Sequence, residues 1–274
     1  MDAASQTALM VAAYRARLNP LFVDPWAAQI AGAAGEAIAQ QLDARYPPMQ
    51  LWLQLRVAYL DRLVAHAVDE LSIRQVVILG AGYDTRAARL PRAGVRFFEV
   101  DHPATQQAKR AALASLTYPV DAATYVGCDF EREDPVERLV AHGLSRVEPA
   151  LVIWEGVTMY LPEDAVRATA TRLATLHPAS LIAFDFVSKR FATGQVESAQ
   201  AESTRGFVGE LGEPLRWGSD DVLPLLVECG FRWVRSLDFN ELALEFLGDY
   251  VRERAFRFQH IALAAVRTPV AKWP

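Results

Sequence analysis

Four short apolar runs in this chain each end on residues able to bind or position a ligand. Val76-Val77-Ile78-Leu79 gives way to Gly80-Ala81-Gly82, where the backbone can approach a ligand closely and turn with positive φ. The run from Arg96 ends at Glu99-Val100-Asp101. An acid about 20 residues after such glycines is placed to accept hydrogen bonds from a ribose diol. Thr124–Gly127 leads to Asp129-Phe130, an acid for a base amino group and an aromatic to pack on the ring. Ala150–Trp154 ends at Glu155-Gly156. Together these are the parts of a nucleotide site at the carboxyl ends of parallel strands.

The glycine turn decides which nucleotide. A dinucleotide fingerprint needs a third glycine so that a pyrophosphate can rest on the helix N-terminus. Thr85 stands at that place, preceded by Asp84, whose charge would repel a pyrophosphate. That disfavours a nicotinamide dehydrogenase. Asp84, Glu99, Asp101, Asp129 and Glu155 suit a cationic ligand without phosphates, one with a sulfonium and an ammonium. S-adenosylmethionine is such a ligand. Two of these acids also have structural readings: Asp84 with Thr85 and Arg86 as a knot holding the turn, and Glu99 as a partner of Arg86 or Arg96.

The elements that must hold these residues follow from the hydrophobic pattern. The runs at 76–79, 96–101, 124–127, 150–154 and 180–186 are short, apolar and rich in β-branched or aromatic residues, as buried parallel strands are. Helical segments alternate with them at 86–90, 103–116, 135–142 and 162–176. Strand and helix repeated in this way predict a doubly wound α/β sheet with right-handed crossovers. Residues 1–73 read as helical throughout, with Asp24 capping one helix and Pro47-Pro48 separating it from an amphipathic stretch at 51–71. Residues 187–218 read as an insertion over one end of the sheet, carrying Phe191, Phe207 and Trp217. Ser219-Asp220-Asp221 caps a further helix reaching Cys229-Gly230. Strands at 231–237 and 260–266 form an antiparallel closing pair.

VVILGAGYDTR, FFEVDHP, GCDF and WEGVTMYLP, in this order, together with RARLNPLFVDPWA near the N-terminus, resemble the leucine carboxyl methyltransferase family, and within it the bacterial O-methyltransferases associated with polyketides. The resemblance covers about residues 10–267. It implies a Rossmann-like class I methyltransferase: a seven-stranded, mostly parallel sheet with an antiparallel closing strand, a helical N-terminal cap and an insertion after the fifth strand. The expected organisation is one domain over 1–274, with 1–73 as cap, 74–186 as cofactor core, 187–218 as substrate cap and 219–274 completing the core. By the resemblance, Arg56 holds the carboxylate of S-adenosylmethionine, and Gly80, Ala81 and Gly82 run along its methionine part. Asp101 takes the ribose hydroxyls, with His102 beside it. Asp129 and Phe130 border the adenine, and Glu155 lies near the amino-acid end. An N-terminal basic residue also reaches the site. Arg15 and Arg17 both qualify; spacing does not decide, and Arg17 is carried forward. Tyr160 matches a tyrosine facing the acceptor, and also reads as an ordinary core tyrosine.

Methyl transfer from a sulfonium is an in-line displacement that requires alignment and exclusion of water. A carboxylate acceptor, with a pKa near ~4, is already ionised at neutral pH, whereas a phenol near ~10 needs a base. No convincing base stands near the site beyond His102 and Tyr160, which favours a carboxylate over a hydroxyl. His102, between Asp101 and Pro103, reads first as a capping or adenosine-side residue. A carboxylate acceptor would call for a cation in the cap, where Lys189, Arg190, Arg205 and Arg216 lie; Arg205 is the first choice. Methylation of a protein C-terminal carboxylate and a cofactor-binding regulator without turnover are the alternative functions.

Composition narrows the classes further. The chain has 274 residues, 52% of them hydrophobic, and a formal net charge of -5, so a large core is available and a phosphate-neutralising nucleic-acid binder or polybasic membrane anchor is disfavoured. Cys128 and Cys229, the two cysteines, are too few for a thiolate zinc site and read as buried thiols. No histidine pair has metal-ligand spacing, so no metal is expected. No apolar run reaches the ~18 residues of a membrane span, and the N-terminus lacks a signal peptide's basic region. A cytoplasmic enzyme acting on a small molecule, monomeric or dimeric, is the expectation.

Overall fold

The computed structural model describes residues 5–195, 199–249 and 258–269. Seven strands form one sheet: β1 (Gln75–Leu79), β2 (Arg96–Asp101), β3 (Thr124–Gly127), β4 (Ala150–Trp154), β5 (Leu181–Val187), β6 (Trp233–Asp238) and β7 (Gln259–Ala265). Their order is β3-β2-β1-β4-β5-β7-β6. The first five run parallel, and β7 is antiparallel to both β5 and β6. This is the Rossmann-like class I methyltransferase arrangement that the sequence led us to expect, with the closing β7 inserted between β5 and the edge strand β6.

Period-two alternation divides the core. Val76 and Ile78 of β1 pack on one face of the sheet, Val77 and Leu79 on the other, because successive strand side chains point to opposite faces. The first face is covered by α1 (Gln6–Ala16), α2 (Ala27–Arg45), α3 (Met49–Asp69), α4 (Arg86–Arg89), α5 (Pro103–Leu113) and, further along the chain, a helix at Phe239–Leu247. The second is covered by α6 (Pro135–Ala141), α7 (Glu163–Leu173) and the helix at Leu223–Glu228. Both β1 and β4 are buried at every position, which explains why they read as continuous apolar runs rather than alternating ones.

The N-terminal region is not helical throughout. α1 ends at Ala16 and residues 17–26 are not helical; there the Asn19 side chain accepts from the Leu21 and Phe22 amides, a local turn that competes with helix. Asp24 does cap the following helix: its Oδ1 accepts from the Trp26 and Ala27 amides at 3.2 and 3.1 Å. Helix α2 itself is broken at Gly32, with φ 55° and ψ -166°. A Cβ on Gly35 would lie 2.7 Å from the Leu9 carbonyl oxygen, so the crossing of α1 over α2 depends on that glycine.

The insertion after β5 holds α8 (Lys189–Ala192) and α9 (Ala199–Glu210), followed by α10 (Leu223–Glu228). Phe191 and Phe207 are buried, and Trp217 packs near Phe186 with ring centroids 6.2 Å apart. Between β6 and β7 the sequence reading had placed no element, yet α11 (Phe239–Leu247) lies there. Its start carries a reciprocal capping box. Asp238 Oδ1 accepts from the Glu241 amide at 2.9 Å, and Glu241 Oε2 accepts from the Asp238 amide at 2.8 Å. An Asp238→Ala variant leaves an amide of the first turn unsatisfied and is expected to cost about 1 kcal/mol, measurable by denaturant unfolding.

Candidate functional site

Sheet register determines what meets at the carboxyl edge. Leu79 is paired with Val100 on one side and Trp154 on the other, and Trp154 with Phe184. One residue further along each strand, Asp101, Gly80, Glu155 and Asp185 therefore stand in one row across β2, β1, β4 and β5. The strand order reverses between β1 and β4, so the row lies at the topological switch point, where open α/β sheets bind ligands.

Asp101 is held from below by backbone. Its Oδ2 accepts from the Gly82 amide at 2.5 Å and its Oδ1 from the His102 amide at 2.7 Å. Burial raises its carboxyl above the ordinary value, while those two amides work the other way. Gly80 and Gly82 both have positive φ, 66° and 46°, which a glycine adopts without strain. Neighbouring side chains crowd the places where a Cβ would stand on them. A Cβ on Gly80 would meet Val157 Cγ2 at 2.3 Å, and one on Gly82 would meet the Ala8 Cβ at 3.2 Å. Ala81 is buried between them.

Glu155 is shared by two arginines. Its Oε1 accepts from Arg56 Nε at 2.8 Å and its Oε2 from Arg86 Nη1 at 2.5 Å. Burial pushes this carboxyl up, but Arg86 and Arg56 outweigh it and hold it below the usual range. Arg56, 5% exposed at the middle of α3, also donates from Nη1 to Asp185 Oδ2 at 2.6 Å. The other oxygen of Asp185 accepts from the Gly156 amide at 2.6 Å, and its backbone oxygen from the Thr158 hydroxyl at 2.6 Å. Arg86 pairs with Asp61 and Asp84 as well. Its Nη2 is buried without a partner among the described residues.

Asp84 is thus the structural knot of the turn: its Oδ1 accepts from the Arg86 amide at 2.6 Å while Oδ2 faces the Arg86 guanidinium. Glu99 pairs with neither Arg86 nor Arg96 but with Lys109, at 2.5 Å in the core; burial pushes its carboxyl up to about 6. The same ammonium donates to the Asp84 carbonyl oxygen.

Between the two N-terminal arginines the structure chooses differently from the sequence reading. Arg17 is drawn to α2, with Nη1 2.8 Å from Asp43 Oδ2 and Nη2 3.2 Å from Glu36 Oε1, so it is not a residue of the row. Arg15 is the one at the glycine turn. It is buried, paired with Asp24 at 2.9 Å, and donates to the Tyr83 carbonyl oxygen at 2.5 Å. Asp24 in turn accepts from Thr85 at 2.7 Å, so α1, the start of α2 and the glycine turn are tied through one carboxylate.

The structure also places the three residues named for acid–base or acceptor roles. His102 is exposed, and its Nδ1 accepts from the Ala104 amide at 3.3 Å as the N-cap of α5, the capping role that its place before Pro103 suggested. Arg205 pairs with Glu202 one turn earlier in α9, at 2.7 Å, and its guanidinium lies against Gly194, so its ion pair is made within the insertion and not with a residue of the row. Tyr160, on a short turn at Thr158–Tyr160, has its phenol pushed well up by burial and by Glu213, with Arg56 acting against them. It keeps its proton and is no base. Asp129 and Phe130 stand at the end of β3 as expected, both partly exposed, with Asp129 Oδ1 accepting from the Glu131 amide at 3.0 Å.

Glu213 was not singled out in the sequence. It accepts from the Ser5 hydroxyl at 2.6 Å and from the Thr7 hydroxyl, fastening the start of α1 to the loop after α9. That loop donates from Arg216 and Trp217 amides to the Met159 carbonyl oxygen, at 2.8 and 3.2 Å. Asp61, Asp185 and Arg86 were also missed as members of the site. The signal for Asp185 was a charge inside an otherwise apolar strand, LIAFDFV.

Residues 4–174 match the leucine carboxyl methyltransferase family. Over 229 residues, covering 77% of this chain and 80% of the relative, the sequence is 32% identical to a Streptomyces coelicolor protein named as a candidate S-adenosyl-L-methionine-dependent methyltransferase. A Frankia alni protein with the same kind of name is 34% identical over 195 residues, 63% of this chain and 65% of the relative; the match thus spans slightly under two thirds of that protein. A solved structure of a candidate methyltransferase from Thermobifida fusca superposes with a TM-score of 0.62 at 15% identity, covering 94% of this chain and 93% of the other. The chain belongs to the leucine carboxyl methyltransferase family, and its fold is that of class I methyltransferases.

Among the described residues no cluster of three His, Cys, Asp or Glu side chains could hold a metal ion, and no helix is long and apolar enough to cross a membrane. Cys128 and Cys229 are free and buried.

The Asp84 knot has a consequence for acid stability. Burial opposes ionisation there, yet Arg86, Arg15, Lys109 and Arg89 bring the carboxyl from 3.8 to about 2. The folded state therefore gains from this group above pH ~4 and loses that gain as pH falls towards 2, about 2 kcal/mol in all. Denaturant unfolding across pH 2–7 should show this loss. Asp84→Asn should be less stable at pH 7 and should show a correspondingly smaller loss between pH 4 and 2.

Proposed function

We propose that the protein uses S-adenosylmethionine to methylate an oxygen of a small-molecule acceptor, a carboxylate in preference to a hydroxyl, on a polyketide or related secondary metabolite. What carries this reading is the row at the switch point: a glycine turn flanked by Asp101, Glu155 and Asp185, with Arg56 beneath them. The family and the names of the relatives point to the same cofactor.

The donor set fits that cofactor. Asp101, already anchored by two amides, has lone pairs left for a ribose diol. Arg56 commits Nε and Nη1 to Glu155 and Asp185, which leaves Nη2 to meet a carboxylate. The acids around the turn suit a sulfonium and an ammonium. S-adenosylmethionine would supply the electrophilic methyl group. The protein's part is to orient the two reactants and to exclude water.

The protonation states favour a carboxylate acceptor. Tyr160 keeps its phenolic proton, and Glu155 and Asp185 are committed to guanidiniums and an amide. An acceptor that arrives ionised, as a carboxylic acid with pKa near ~4 does, needs no base.

Calorimetric titration should show S-adenosylmethionine binding and NAD failing to bind; the reverse result overturns the proposal. Asp101→Ala should weaken cofactor binding by a factor of about 100 or more, through loss of hydrogen bonds to a charged acceptor, with the fold retained though less stable, since the Gly82 and His102 amides lose their acceptor. In a screen of acids and phenols with labelled cofactor, product from the true acceptor should release labelled methanol in alkali, as methyl esters do. An alkali-stable product would assign a hydroxyl instead.

A further inference from the structure

Asp185 belongs to the ligand row although it sits inside a buried strand. Its level beside Glu155 follows from the pairing of Trp154 with Phe184. It is fully buried, whereas the strand around it is apolar. Such a charge is costly unless paired and hydrogen-bonded, and here both oxygens are used: Oδ1 by the Gly156 amide, Oδ2 by Arg56 Nη1, each at 2.6 Å. The two groups it holds come from different elements, the turn after β4 and the middle of α3. A carboxylate with a separate partner on each oxygen fixes the distance between them.

The consequence falls on Arg56. Its guanidinium is gripped along Nε by Glu155 and at Nη1 by Asp185, so its plane and direction are set. Gly156, with φ 69°, presents no Cβ to it; one placed there would stand 3.6 Å from Nη2 and 3.8 Å from Nη1. The remaining Nη2 is the terminal nitrogen that neither carboxylate claims. A guanidinium clamped by two carboxylates is pre-organised, so less freedom is lost when a third anion binds.

We propose that Asp185 is a positioning residue of the cofactor site: by clamping Arg56 Nη1 and the Gly156 amide, it aims Arg56 Nη2 at the carboxylate of the cofactor's methionine part. The role rests on the cofactor assignment above. Asp185 does not touch the ligand; it acts through Arg56, and only on the amino-acid end.

That restriction supplies the test. S-adenosylhomocysteine carries the amino-acid carboxylate, and 5′-methylthioadenosine has the same nucleoside without it. Both are titrated calorimetrically into the wild-type protein, Asp185→Asn and Asp185→Glu. The asparagine is isosteric and retains an oxygen for the Gly156 amide, but turns an N–H₂ towards Arg56. The glutamate keeps the charge and displaces it by one methylene. For Asp185→Asn, S-adenosylhomocysteine should bind about ten- to a hundredfold more weakly, as expected for a lost hydrogen bond to a charged group, and 5′-methylthioadenosine within about twofold of wild type. Asp185→Glu should show the same selectivity with a smaller loss. Equal weakening of both ligands, or of neither, overturns the positioning role while leaving the cofactor assignment standing. A wild-type protein that binds neither ligand overturns both.

Discussion

Everything at the carboxyl edge of this sheet follows from one electrostatic constraint. Register places three carboxylates, those of Asp101, Glu155 and Asp185, in a single row with a glycine between the first two. Like charges brought together at a buried edge disfavour ionisation, and in a medium poorer than water their repulsion is little screened. Two guanidiniums relieve it from below, Arg56 from α3 and Arg86 from α4. Glu155 takes one nitrogen of each, and its carboxyl ends up below the usual range. Asp185 has one guanidinium and a neighbouring negative charge, and burial leaves it above. Asp101 has two amides but no guanidinium, and burial keeps it above. The three acids thus differ in proton affinity because they differ in partners.

The helical cap is arranged to deliver these cations. Arg56 reaches the row because α3 lies against the face opposite α6 and α7, with its mid-helix turn at the carboxyl edge. Arg86 and Arg89 begin and end the short α4 that follows the glycine turn, and both grip Asp61 of α3. Asp24 binds Arg15 and Thr85 while capping α2. The ion pairs therefore run from α1 through α4 to α3 and back into the sheet. Removing one member leaves a buried charge without compensation, which is more destabilising than the pair is stabilising.

The central strands β1 and β4 were legible in the sequence because burial on both faces makes each one a short, uninterrupted apolar run, and β2 and β3 because the glycines and acids at their ends mark where they stop. The β2, β3 and β4 bounds agree with those runs to the residue. The glycine turn and Asp101 were legible for a related reason: a ligand-approaching turn must follow the strand directly, and the ribose acid must end the next one. Partner choice was not. Arg56 lies 129 positions from Asp185, and Arg86 lies 69 from Glu155; residue type reveals a need for a partner but not its address. Arg15 and Arg17 are two residues apart and point in different directions, one to the Tyr83 carbonyl and one to Asp43. Helical spacing alone cannot separate them, since neither the angle at which α1 crosses α2 nor the Gly35 contact that sets it is written in α1. The helix α11 was missed for a different reason, because its capping box, Asp238 to Glu241, straddles the end of a strand.

A row whose carboxylates are all committed behaves differently from a catalytic dyad. In a general acid–base pair, environments push two groups apart so that one gives and the other takes a proton near the working pH. Here Glu155 is pinned ionised by two arginines, and Asp185 is held by an amide and a guanidinium. The nearby phenol of Tyr160 is driven the other way and retains its proton. Such groups hold charge in fixed places rather than pass protons. Fixed negative charge around a positive-φ glycine turn favours a cation there in the ground state, and the clamp on Arg56 leaves one donor for an anion a short way off. A ligand with separated positive and negative ends, reacting with an acceptor that arrives already ionised, is the chemistry this electrostatic arrangement suits best.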